Sequence, residues 1–381
     1  MSSVSAIRPT VAEINLDNLA FNFHSVKEFV GEGVAFMAVV KADAYGHGAV
    51  PCAARLEAEG VDWFAVATVE EGVELREARI SKPILVLGGF WPGQETTLLN
   101  FNLTPAVFRI DQARSIAKAA MRQRSAAKVH VKIDTGMGRI GVRVDEVEAI
   151  AQELSTIENL EIEGLMTHFA VADDLNATDF TNQQIKSFEE AVEIFLAHGH
   201  RPKYIDMANS PGAVVHPLSR SKMVRIGGLL YGLGSDVLPS GVPHPELRPV
   251  MSITSKIAQV KTIAAGESVG YGRTFIANRD TVVATIPIGY HDGLPRSLSN
   301  KGYFLVKGTR AHIIGRVSMD WTTIDVTDIA DVAVGDDVTI IGASADELIR
   351  AEDIAAIAGT ISYEITCGIS QRIPRRLLTA I

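Results

Sequence analysis

Val34-Ala35-Phe36-Met37-Ala38-Val39-Val40-Lys41-Ala42-Asp43-Ala44-Tyr45-Gly46-His47-Gly48 joins an unbroken apolar run to an amine and then to a glycine-bearing turn. Such a run bounded by a turn reads as a buried strand, and it delivers Lys41 to the strand's carboxyl end. Partial desolvation at that place lowers an amine's pKa and favours the neutral, nucleophilic form that a Schiff-base lysine needs. A lysine snorkelling from a strand end fits the same segment, so the two readings stand together here.

Outward from this segment, apolar strands alternate with amphipathic stretches. Strand candidates lie at 34–40, 63–67, 84–88, 104–108, 128–133, 161–167, 203–207 and 222–226. Between them Val69 to Ile80, Asp111 to Arg124, Asp145 to Ile157 and Asn182 to His198 carry helical periodicity, with Asp111 and Thr178 as cap candidates. Eight βα units in this length suit a (β/α)8 TIM-type barrel better than a doubly wound sheet. Four prolines between Leu238 and Pro249 break any helix or central strand and mark a boundary. After it, short β runs broken by Gly, Asp and Asn predict a mostly β C-terminal domain with one late helix near Ala351 to Ala358. The expected domains are a barrel over 12–240 and a β-rich domain over 241–381, with residues 1–11 packing with the latter.

The chain has 381 residues, 47% hydrophobic and 21% charged, and a formal net charge of −9. That balance is ordinary for a globular protein and argues against a nucleic-acid surface, which needs a clustered basic face. No apolar core of a signal peptide follows Met1 to Pro9, and no later run is long enough to span a bilayer, so a cytoplasmic location and no membrane partner are expected. Cys52 and Cys367 stand far apart without CxxC or nearby His spacing, so no metal site is indicated and both read as buried thiols.

Several polar groups fall at the carboxyl ends of the proposed strands, where barrel enzymes place their active sites. Lys41 ends the first, Arg139 follows the fifth, His168 ends the sixth, Asn209 and Ser210 end the seventh, and Arg225 ends the eighth. Arg225-Ile226-Gly227-Gly228 fits a phosphate site in which backbone N–H groups approach an anion, and it fits an ordinary turn equally well. Strand alternation turns His130, Lys132 and Asp134 to one side, toward the barrel interior. Gly136 to Gly141 matches GxGxxG, yet it follows the fifth strand and not the first of a nucleotide-binding half. Gly266 to Gly270 matches GxSxG but has no helix after it, so it reads as a turn. Tyr271 and Tyr290, both beside glycines, read by themselves as packing or interface residues.

Taken together, Val40 to Gly48, Lys132 to Gly141, Thr167-His168-Phe169, Asn209-Ser210, Arg225-Ile226-Gly227, Val269 to Gly272, Ile288-Gly289-Tyr290, Gly315 to Asp320 and Ser362-Tyr363-Glu364 resemble the alanine racemase family over nearly the whole chain. The resemblance implies a pyridoxal 5'-phosphate enzyme of fold type III, a homodimer whose subunits share their active sites, acting on a small amino acid. Lys41 would hold the cofactor through an imine. Tyr45, Ser210, Gly227 and Tyr363 would bind its phosphate, with Gly228 and Asn209 beside them. Arg225 would face the pyridine nitrogen and disfavour its protonation, and His168 would pack by the ring and orient that arginine.

Racemisation needs acid/base groups on both faces of the α-carbon. In the family pattern these are Lys41 for the D-isomer and Tyr271 of the other subunit for the L-isomer. A tyrosine is a poor base near neutrality, so help from cations such as His168 and Arg225 is implied. Arg139 and Met319 would hold the substrate carboxylate, with Tyr290 and Asp320 also at the substrate. The family often carries a carbamylated lysine at the position of Lys132, an anion that would orient Arg139. Asp173, Arg296 and Arg316, with Tyr290, match the entryway. His291 departs from the smaller residue usual after that tyrosine, and Gly228 replaces a larger aliphatic one. The implied activity is interconversion of L- and D-alanine, for peptidoglycan precursors or in alanine catabolism. A related racemase of serine or of a broader range of amino acids is the alternative.

Overall fold

The computed structural model describes residues 8–379. Its contacts divide into two compact units, one of Ala20–Leu230 with Val237–Leu247, the other of residues up to Leu19 with Tyr231–Asp236 and Arg248 onward.

The first unit is a closed parallel barrel. Strands Ala35–Val39, Trp63–Val66, Ile84–Val86, Thr104–Val107, Ala127–Asp134, Leu160–Met166, Tyr204–Ala208 and Met223–Ile226 pair in that order, and the last returns to the first with Ala38 opposite Ile226. Every expected strand is present, within a residue or two at its ends. Phe36, Met37, Ala38 and Val39 are all buried, because a barrel strand is covered by side-chain layers inside and by helices outside. Helices Val69–Glu77, Ile110–Arg122, Val147–Leu154 and Thr178–Ala197 fill the expected positions.

Two cap expectations fail. Asp111 lies inside the first turn of its helix, where it pairs with Arg109, and Thr178 is itself the first helical residue, its hydroxyl donating to the Leu175 carbonyl. The expectation of two buried thiols holds for Cys52 alone, since Cys367 is exposed on the short helix Ser362–Cys367.

The second unit is β-rich. Its larger sheet orders Thr309–His312, Tyr303–Val306, Asp337–Ser344, Met251–Lys256, Val11–Asn15 and Arg375–Leu378. Val11–Asn15 is antiparallel to Met251–Lys256 and parallel to Arg375–Leu378, with Ala12 and Ile14 buried. The expected boundary at residue 12 therefore falls inside a strand of this sheet, and residues 1–7 of the expected N-terminal segment lie outside the described residues. A smaller sheet joins Gln259–Ile263, Thr281–Ile286 and Thr322–Asp325. Ser268–Val269 pairs with Phe275–Ile276, so the GxSxG match lies in a β-ladder, followed by a single 3-10 turn, Tyr271–Arg273, and by no α-helix before the paired strand. The late helix runs over Ala351–Ala358.

Candidate active site

At the end of the first barrel strand the backbone takes an uncommon course. Ala42, Asp43, Ala44 and Tyr45 are all left-handed, with φ between 53° and 56°. Each such residue costs an L-amino acid roughly 1–2 kcal/mol, so a run of four persists only where its surroundings determine it. Within the segment Ala44 N–H donates to Val40 O at 2.9 Å, Gly48 N–H to Asp43 O at 2.9 Å, and Ala49 N–H to the Asp43 carboxylate at 2.6 Å. Buried His47 donates from Nδ1 to the carbonyls of Ala44 and Tyr45, at 2.9 and 3.0 Å. This turn leaves Lys41 half-buried and sends the Tyr45 ring inward.

The Tyr45 hydroxyl comes to the loop after the last strand. A Cβ at Gly227 would stand 2.5 Å from Tyr45 Oη, so a side chain there would displace the tyrosine. Gly227 N–H donates to Ser210 Oγ at 3.0 Å, and Asn209 caps the following turn by accepting from Gly212 N–H at 3.0 Å. Tyr45, Ser210, Gly227 and Gly228 are all buried at one side of the barrel mouth.

Beside this cradle lies a charged group of side chains. Arg225 is 3% exposed and its Nη1 lies 2.5 Å from the Asp206 carboxylate, itself fully buried. Its Nη2 donates to Thr167 O at 2.8 Å and to His168 Nδ1 at 3.1 Å. A nitrogen accepting from a guanidinium carries no proton. Burial, then Arg225, Lys132, Arg139 and Lys41, push His168 down to about 2, so it is neutral. His168 is therefore not the cation that was expected. Burial, then the cations Arg225, Arg139 and Lys41, bring Lys132 down to about 7, with Asp206 opposing. An amine that is partly neutral near pH 7 is a competent nucleophile toward carbon dioxide. Asp134 accepts from Gly136 N–H and Gly138 N–H at 3.0 Å each, shaping the turn that carries exposed Arg139. Asp173 is exposed beyond His168. The GxGxxG match thus serves a barrel-mouth turn.

In the β-rich unit, Tyr271 lies between Gly270 and Gly272, at φ +74° and +73°, and is 72% exposed. The Arg316 guanidinium lies against Gly272, 3.3 Å from where its Cβ would be. Tyr290 N–H donates to Ser318 O at 2.9 Å and His291 N–H to Met319 O at 3.1 Å, so the Tyr290 and Met319 loops are laced together. A Cβ at Gly289 would stand 2.4 Å from Met319 backbone atoms, which requires glycine there. Fully buried Asp292 accepts both Arg8 guanidinium nitrogens, at 2.6 and 2.7 Å, and Gly289 N–H at 2.9 Å. Asp320 pairs with Arg372 at 2.9 Å, Arg296 is exposed, and Tyr363 is half-buried next to Ser362, which Asp236 holds.

Family models described as the N-terminal and C-terminal domains of alanine racemase match residues 14–235 and 250–377. The chain belongs to the alanine racemase family. It is 44% identical to an alanine racemase of Geobacter sp. strain M21, over 97% of this chain and 98% of that one. Its structure is similar to that of alanine racemase from the D-cycloserine producer Streptomyces lavendulae, with TM-score 0.92, 32% identity, and 99% and 98% of the two chains covered. It is also similar to alanine racemase from Bartonella henselae with covalently bound pyridoxal phosphate, with TM-score 0.87, 28% identity, and 97% and 99% covered.

Sequence reading did not single out Glu71, Asp206, Asp292, Arg8 or Arg372. Glu71 has a visible signal, the Thr68-x-x-Glu71 capping pattern ahead of a helix. Asp206 also has one, a lone acid inside the strand Tyr204–Ala208.

Proposed function

We propose that this chain is an alanine racemase that uses pyridoxal 5'-phosphate and interconverts L- and D-alanine. The observation that carries the reading is the cradle at the barrel mouth. There the Tyr45 hydroxyl occupies the space a Gly227 side chain would need, Ser210 is tied to Gly227, and half-buried Lys41 leaves the same turn as Tyr45. A hydroxyl pair with buried glycine amides suits a phosphate, and the cations around it suit an anionic ligand.

Tyr45, Ser210, Gly227 and Gly228 would hold the phosphate, Lys41 the carbonyl carbon, and Arg225 the pyridine nitrogen, with His168 holding Arg225 as a neutral acceptor. When bound, the cofactor acidifies the substrate's Cα–H by delocalising the electrons left behind. Lys41 then takes or returns a proton on one face of Cα. The Tyr271 hydroxyl of a second copy does so on the other face, and its exposure on its own domain supports that role. Arg139 and the Met319 backbone receive the substrate carboxylate, a carbamate on Lys132 orients Arg139, and Tyr290, Asp320, Arg296, Arg316 and Asp173 limit the side chains admitted. Among the described residues no helix is long and apolar enough to cross a membrane.

Purified protein supplied with pyridoxal phosphate is expected to racemise alanine faster than serine or larger amino acids. Borohydride reduction of the loaded protein should leave the pyridoxyl group on the peptide containing Lys41. Faster turnover of serine would favour the broader racemase, and labelling of another lysine would refute the site.

A further inference from the structure

A single carboxylate, outside the barrel-mouth group, ties the left-handed turn to the neighbouring βα unit. Glu71 is the third residue of helix Val69–Glu77, which follows the second barrel strand. Its Oε2 accepts Ala67 N–H at 2.6 Å and Thr68 N–H at 3.3 Å, closing a capping box with Thr68. Its Oε1 accepts Ala42 N–H at 2.7 Å, from a residue 29 positions earlier. Ala42 N–H is the first amide after Lys41, and Ala42 is the first of the four left-handed residues.

We propose that Glu71 is a positioning residue for cofactor binding: its carboxylate, held at a helix N-terminus, anchors Ala42 and so fixes where the turn places the Lys41 amine and the Tyr45 hydroxyl. This rests on the reading of Lys41 and Tyr45 as cofactor ligands given above. The chemistry requires an ionised acid. Both oxygens act only as acceptors, toward three N–H groups, and the positive end of the helix dipole favours a negative charge at this position. In Glu71→Gln one oxygen becomes an NH2 group that must face a backbone N–H. Either Ala42 or the Ala67/Thr68 pair then loses its acceptor. The four left-handed residues, alanine, aspartate, alanine and tyrosine, include no glycine, so once Ala42 is released only the bonds within the segment offset the cost of their positive φ.

Four chains distinguish this anchoring from plain helix capping: the wild type, E71Q, T68A and the double variant A42G/E71Q. T68A removes the hydroxyl that accepts Glu71 N–H at 3.4 Å but leaves all three bonds to the carboxylate. A42G gives the turn a residue that adopts positive φ without strain. Each chain is titrated with pyridoxal phosphate, reading the absorbance band of the lysine-bound cofactor, and its thermal midpoint is recorded. E71Q is expected to bind at least about tenfold more weakly than wild type, a loss of one to two charge-assisted hydrogen bonds. T68A is expected to bind within about twofold of wild type although its midpoint falls, as loss of a cap predicts. A42G/E71Q is expected to recover several-fold of the lost affinity, which a role confined to the helix would not allow.

Binding by E71Q within twofold of wild type, equal weakening in T68A, or no recovery in the double variant overturns the proposal. If E71Q does not fold, folding and cofactor binding by A42G/E71Q become the expected result, and their failure the overturning one. Failure of the wild type itself to bind would instead refute the cofactor reading.

Discussion

Replacing Tyr271 by phenylalanine is expected to slow exchange of the L-alanine Cα proton by roughly 10²–10⁴-fold, the usual range for loss of a general acid–base group. Exchange from D-alanine should fall much less, because Lys41 is assigned to that face. The substitution removes the hydroxyl alone. The ring keeps its place between Gly270 and Gly272, whose φ values of +74° and +73° set the loop independently of the phenol. The measurement is solvent deuterium uptake from each enantiomer, followed by NMR at early times. Equal losses for both enantiomers would remove the division of faces.

The same assignment makes a second demand on that experiment. Lys41→Ala and Tyr271→Phe chains are each expected to be inactive in racemisation. In a mixed dimer one site receives Lys41 from one chain and Tyr271 from the other, so it is whole. Activity should return on mixing, up to one working site per mixed dimer. No return, with subunit exchange demonstrated by mass, would mean that each chain supplies both groups to its own site.

The barrel was legible because its signal is one of composition. Runs such as Phe36 to Val40 lack polar alternation, and a strand covered on both faces needs none. The positions of Lys41, His168 and Asn209 followed from counting strands, since each stands just past the end of such a run, and Arg225 is the polar residue one position before the end of its own, Met223–Ile226. Helix starts were less legible. Asp111 and Thr178 have the composition of caps but lie one or two residues past the caps Arg109 and Ala177, and ahead of Thr178 a 3-10 turn, Leu175–Ala177, opens at Asp174, whose carboxylate accepts Asn176 N–H.

The left-handed turn could not be read at all. Ala42, Asp43, Ala44 and Tyr45 have no common preference for positive φ, and the contacts that favour it include Glu71, which reaches Ala42 across a whole βα unit. His168 shows the same limit in its charge. Its place was visible in the sequence, but its protonation is decided by burial and then by Arg225, which lies 57 residues away in the chain. Asp206 is a third case, since a lone acid in a strand says that it needs a partner and does not say which.

That partner makes Arg225→Gln the variant expected to lose most stability. With the guanidinium gone, the Asp206 carboxylate is left fully buried beside fewer cations, and breaking a buried pair on one side typically costs about 3–5 kcal/mol. The lower end is expected. Arg225 is one of the charges that hold the unmodified Lys132 amine down, so in chain free of the carbamate its removal lets Lys132 take up a proton more readily and stand in as a counter-ion. The sign of the pH dependence follows from Asp206. Burial already raises its carboxyl above the ordinary value, against the attraction of Arg225 and Lys132, and losing Arg225 raises it further. A folded chain that retains a proton the unfolded chain has released loses stability as pH rises between the two pKa values. The deficit of Arg225→Gln in urea unfolding, measured without free cofactor, should therefore be larger at about pH 8 than at about pH 5. Asp206→Asn in the same chain removes the stranded charge and should recover most of the loss, because replacing both members of a buried pair by neutral groups is often tolerated. A deficit that is independent of pH and unchanged by the second substitution would mean that Arg225 stabilises the barrel through its bonds to Thr167 and His168, not through Asp206.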